Sequence, residues 1–226
     1  MTLADARRKT MDRNYNRPQL GCDGGRRVTY RTRVIAGIAV LAATLQSCAL
    51  LPGGSPAPLD TYELSAPTPD VRARKRRAQI LVPEPSALKT LDGQNIVIRP
   101  APGAIEFLSG AQWADRLPKV VQARLAEAFQ KSGAFGGVGK PGEGLAIDTQ
   151  VIVEIRAFEV SVAGGRTARV ELFVKLLNDR NGVVRASRTF EANAPVAGTD
   201  NAAYVAGLDA AFNQVAAEIV AWTARS

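Results

Sequence analysis

Cys22 and Cys48 are the only thiols in a chain of 226 residues that contains no histidine. Those two facts narrow the available chemistry. A thiol reacts as its thiolate and needs a base or a cationic neighbour to become one. Without imidazole there is no Cys–His or Ser–His couple, and the commonest zinc ligand is missing. Residues 49–226 hold no cysteine, so neither a disulfide framework nor a Cys-based metal site can form there. Carboxylates could still act in pairs. Asp148 and Glu154 share one face of an expected strand, but their i, i+6 spacing puts them about 20 Å apart at ~3.3 Å per residue, too far for paired carboxylate work. Gly139-Lys140 hints at a phosphate loop. The pattern G-x-x-x-x-G-K-[ST] fails, because Ala134 stands where its first glycine belongs and Pro141 follows the lysine. The stretch 133–144 is expected to be a turn. No catalytic residue, cofactor or metal is assigned, and the chain is read as a non-enzyme.

Cys48 has a context of its own. Arg26, Arg27, Arg31 and Arg33 precede an apolar run, Val34 to Leu45, of twelve residues. A run of 7–15 behind a positive flank fits an export signal, whereas a permanent span needs about 20 apolar residues. Leu45-Gln46-Ser47-Cys48 then resembles a bacterial lipobox, with Leu at −3, Ser at −1 and Cys at +1; Gln46 at −2 departs from the commoner small residue. The resemblance implies that Cys48 takes a thioether-linked diacylglycerol and becomes the mature N-terminus. Each buried methylene contributes about 0.8 kcal/mol, so two or three palmitate-class chains anchor stably where one would not. Ala49 in place of Asp favours the outer over the inner membrane.

Charge divides along the chain in the same place. Nine of the 29 basic residues but only three of the 21 acidic ones lie in 1–47, giving +6 there and leaving +2 for 48–226. The net +8 therefore belongs to the N-terminal segment, and nucleic acid is not expected as a partner. Four segments are expected: 1–27, ahead of the true start at Val28 or disordered; 28–47, a lipoprotein signal peptide; 48–59, the lipidated Cys48 and a Pro/Gly/Ser tether; and 60–226, a folded domain. The tether reaches at most roughly 35–40 Å at 3.3–3.6 Å per residue, so the domain would face the periplasm close to the bilayer.

The domain reads as α+β, a predominantly antiparallel sheet with two amphipathic helices packed on one face. Short strands are expected at 60–67, 78–85, 94–100 and 103–108. The loop 68–78 carries Arg72, Arg74, Lys75, Arg76 and Arg77 and is read as a solvated face or a contact for anionic groups. Ser109 to Gln112 forms an S-x-x-Q capping box ahead of a helix running from Trp113 past Phe129, with Pro118 kinking or restarting it and Gly133 ending it. Long alternating strands follow. Their apolar phase switches near Arg156, which predicts a bulge; Gly164-Gly165 predicts a hairpin, and "NDRNG" (178–182) a second turn. A last helix spans Asn201 to Ala224, capped by Thr199 or Asp200, with Tyr204, Leu208, Phe212, Val215, Ile219 and Trp222 as its apolar stripe.

Taken together, the lipobox, Tyr62 and Leu64, "ILVPEP…LDGQNIVIRP", "GAQWADRLP" (110–118), "AFEVS" (157–161), "VELFVKLLNDRNG" and a final helix ending near Trp222 resemble the ABC-type transport auxiliary lipoproteins of the PqiC-like group. The resemblance covers nearly all of 48–226. It implies an envelope protein that works beside an ABC permease, its ATPase and an MCE-family lipid-binding subunit, moving lipids or hydrophobic compounds between membranes by docking and bridging. The expected contacts are the membrane, through the lipid on Cys48, and that complex; a homo-oligomer is left open. The alternative is a lipoprotein cofactor of another envelope machine, in peptidoglycan synthase activation or outer-membrane assembly, which fold alone does not separate.

Overall fold

The computed structural model describes residues 58–71 and 77–226. The strands, numbered in chain order, are β1 (Asp60–Tyr62), β2 (Gln79–Leu81), β3 (Ser86–Ala87), β4 (Asn95–Arg99), β5 (Glu106–Trp113), β6 (Gly137–Gly139), β7 (Thr149–Ser161), β8 (Thr167–Asn178) and β9 (Val184–Pro195). Two helices complete the fold, α1 (Leu117–Lys131) and α2 (Asn201–Arg225).

β7 is the strand on which the sheet is built. One of its edges pairs antiparallel with β8 along its whole length, and β8 pairs antiparallel with β9. The other edge is shared by three short strands, all parallel to β7: β2 at its start, β3 at its middle and β4 at its end. The sheet therefore forks. β6 joins β2 at one end; β5 joins β4 at the other, and β1 joins β5. The long ladders are antiparallel, as expected, while the short strands make the nine-stranded sheet mixed. Crossover connections cause this: segments returning through loops or helices re-enter parallel to β7, which adjacent hairpin strands cannot do.

The alternation of side chains decides which face is covered. Val170, Leu172, Val174 and Leu176 of β8 are fully or nearly fully buried, and Phe190 and Ala192 of β9 continue that face. The register shifts between Ile155 and Ala157, so the bulge lies at Arg156 and moves the inward set to Phe158 and Val160. Gly164 and Gly165, at φ 71° and 137°, turn β7 into β8. α2 lies on the covered face, with Asp200 as N-cap: its carboxylate accepts the Ala203 N–H at 2.9 Å. Phe212 stands 6.2 Å from Phe158, which meets Trp113 edge-on at 5.7 Å, and Trp222 meets Phe190 at 5.4 Å. Such pairs contribute about 0.5–1.5 kcal/mol beyond simple burial. α1 packs beside α2, and its Gln122 donates to the Val82 carbonyl at 3.0 Å.

Four expectations change. Ser109 and Gln112 do not form a capping box, because the strand continues through them to Trp113, which is 1% exposed. The helix starts at Leu117 and places Pro118 in its first turn, where a missing N–H costs nothing, so the helix begins there instead of kinking. The strand expected at 60–67 is paired only over Asp60–Tyr62. Within the expected turn 133–144, Gly137–Gly139 forms β6, parallel to β2. Gly136 permits that pairing, since a Cβ there would lie 2.3 Å from the Arg77 carbonyl oxygen.

Candidate functional site: the tether entry and the charged sheet face

The chain enters the described body at Pro58 and Leu59, then pairs β1 with β5. Cys48, the expected signal peptide and most of the expected tether lie outside the described residues, as do Arg72 to Arg76 of the basic loop. Past Tyr62 the segment has no strand partner, and side chains fasten it instead. Leu64 is buried in the core. The Ser65 N–H donates to Asp209 Oδ1 at 2.6 Å and the Ser65 hydroxyl to Oδ2 at 2.7 Å, while Asn213 Nδ2 donates to the Ser65 oxygen at 2.6 Å. Asp209 and Asn213 are i, i+4 on α2 and so share one face of it. On α1, Arg124 pairs with Glu63 at 2.5 Å, and Lys131 donates to the Ala66 carbonyl at 3.1 Å. Arg124 and Lys131 also hold the Glu127 carboxyl below its usual range, the Lys131 bond being the larger cause. Residues 63–66 are thus fastened to both helices through one clamp. Sequence reading missed this clamp because Ser65, Asp209 and Asn213 carry no motif; only an Asp and an Asn on one helical face hinted at it.

The uncovered face of β7, β8 and β9 carries paired charges. Arg99 bonds Glu159 at 2.7 Å; Arg169 bonds both Glu191 at 2.8 Å and Glu171 at 2.6 Å; Arg156 bonds Glu154 at 3.3 Å. The Arg156 guanidinium sits 4.2 Å from the centre of the Phe173 ring, and Lys175 approaches the same ring at 5.4 Å. The bond to Arg169 holds Glu191 below the usual carboxylate range, and Glu191 in turn raises Arg169. β9 forms an edge, paired only with β8. Near the tether entry Leu59, Ile105 and Phe107 are exposed, Leu59 and Phe107 at 51% each.

Asp148 and Glu154 do not come together. Asp148 precedes β7 and bonds the Gln79 N–H at 3.0 Å and Arg180 at 2.9 Å; Glu154, inside β7, is held by Arg156. Among the described residues no helix is long and apolar enough to cross a membrane.

The model of the family described as "ABC-type transport auxiliary lipoprotein component" matches residues 62–220. The chain is 34% identical over 175 residues to the uncharacterised protein bll6063 of Bradyrhizobium diazoefficiens, covering 76% of this chain and 46% of that one. It thus spans about half the length of this curated relative. The crystal structure of protein XCC0632 from Xanthomonas campestris superposes with a TM-score of 0.68 at 32% identity, covering 73% of this chain and 95% of that one. A second crystal structure, of an uncharacterised protein, shares the fold at TM-score 0.60 and 14% identity, covering 74% of this chain and 99% of that one.

Proposed function

The chain belongs to the family of ABC-type transport auxiliary lipoprotein components, and on that premise we propose that it is the lipid-anchored, periplasm-facing auxiliary subunit of an MCE-type ABC system that moves lipids or hydrophobic compounds across the envelope. The observation that carries this reading is the extent of the family match, which runs from Tyr62 at the end of β1 to Val220 near the end of α2, nearly the whole described fold. Cys48 receives the lipid, the signal 28–47 is removed, and the tether 48–59 leads into the domain 60–226. Ala49 supports the outer membrane as its destination.

The subunit works by docking. Two features support this. The clamp joins the tether entry to both helices, so the body is held as a unit at the end of its anchor. The carboxylates singled out as candidates for chemistry are engaged by arginines in structural pairs. The permease, its ATPase and the MCE-family protein are the partners this reading assigns.

Anchoring has a direct test in Cys48→Ser. Wild-type protein isolated from its own membranes should carry an N-terminal diacylglyceryl-cysteine at residue 48 by intact mass and resist salt extraction. The variant should keep its signal segment uncleaved. A wild-type mass without lipid would overturn the anchoring assignment.

A further inference from the structure

One end of the sheet differs in charge from the rest. There β2 and β7 begin and the 178–183 turn joins β8 to β9. Arg77, Arg180 and Arg185 rim a hollow of about 420 Å³ at this end, with Asp148 and Asn178 in its wall. That volume lies within the range of small-molecule sites. Among the described residues Asp148 is the one carboxylate lining the hollow, against three guanidiniums. Both its oxygens are engaged, one by the Gln79 N–H and the other by Arg180. The Gln79 N–H, with Arg180 and Arg185, holds its pKa below the ordinary aspartate value, so it stays ionised and orients Arg180. Arg180 remains 79% exposed, and neither Arg77 nor Arg185 has a carboxylate within ion-pair distance among the described residues. On the uncovered sheet face, by contrast, Arg99, Arg156 and Arg169 each hold a glutamate.

Next to this hollow is a second, of about 20 Å³, whose wall mixes Ile80, Phe135 and Leu176 with Thr223 and Ser226. The two share Ala78, Thr149 and Arg185 in their linings and so adjoin. The smaller one has room for about one water-sized group. Guanidinium groups suit phosphate in particular, because their planar donors engage two oxygens at once.

We propose that this cleft binds a phosphate-bearing anion, a lipid head group or the free ion. The site is independent of the docking reading; losing it would leave that reading untouched.

The test is native mass spectrometry of the full protein isolated from its membranes in a nonionic detergent, whatever its N-terminus carries. The probes are dioctanoyl-phosphatidylglycerol, dioctanoyl-phosphatidylcholine and inorganic phosphate. The anionic lipid should bind as one equivalent, about tenfold or more tighter than the zwitterionic lipid. The double variant Arg180→Ala/Arg185→Ala should weaken it by about tenfold, the scale of losing a charge-assisted contact. A control, Arg156→Ala/Arg188→Ala, removes the same charge elsewhere and should change binding less than about twofold. Phosphate binding as tight as the anionic lipid would support the anion site and assign it to the free ion. Equal affinity for both lipids, equal loss in the control pair, or no loss in the cleft variant with folding confirmed by circular dichroism, would each overturn the proposal.

Discussion

Asp209 shows how much one side chain can decide. Its carboxylate takes two hydrogen bonds from Ser65, 144 positions away in sequence, and a third at 3.1 Å from Asn213. These bonds replace the strand pairing that stops at Tyr62. Asp209→Ala would leave the Ser65 N–H and hydroxyl to find other partners, at a cost of about 1–3 kcal/mol. Urea unfolding should show that loss, and amide exchange should speed up in residues 63–67 while β8 remains protected. Unchanged exchange in 63–67 would mean that Leu64 burial alone holds the segment. At this scale the sequence is legible only where a residue acts through its neighbours in the chain. The expectation for Cys48 rests on such neighbours: Leu45, Ser47 and the apolar run. The Ser65–Asp209–Asn213 clamp cannot be read this way, because folding alone brings its members together.

At the scale of elements, periodicity is the reliable guide and junctions are not. The long strands β7, β8 and β9 and the helix α2 each have one buried face, so their alternation or 3.6-residue stripe states their type directly. The bulge at Arg156 is visible for the same reason, as a change of phase. The β5–α1 junction is misread because Trp113, Leu117, Val120 and Val121 satisfy a helical stripe, while Ala111 and Trp113 equally satisfy a strand. Pro118 resolves the conflict, since it fits a first turn far better than an interior. β6 is hidden because Val138, its one strand former, stands between two glycines; backbone pairing to β2 defines the strand. Gly136 tests that account. Gly136→Ala puts a methyl group against the Arg77 carbonyl, so the β2–β6 ladder must part, at a cost of about 1–3 kcal/mol. Thermal unfolding should register this as a drop of a few degrees. A neutral result would mean that the two strands are free to move apart.

For the whole molecule, the forked sheet separates tasks by position. The β4–β5–β1 branch takes the chain in at Pro58, with Leu59, Ile105 and Phe107 exposed beside it; the β2–β6 branch carries the arginine-rimmed cleft; the paired-charge face runs along β7 to β9. Composition, a nearly neutral body without histidine, is compatible with the proposed coupling role. Composition says nothing about which partner is coupled, and the family match names an ABC transport system without naming its other subunits. The central claim is that the body docks on an MCE-family subunit. The most direct measurement places a photoreactive residue, one at a time, at Leu88, Lys140 and Ser187, which are exposed at well-separated points of the body, and irradiates intact cells. The docking account predicts that at least one position yields an adduct whose mass-spectrometric sequence is that of an MCE-domain protein. Adducts only with a peptidoglycan synthase or an outer-membrane assembly protein, or none at any position, would contradict it.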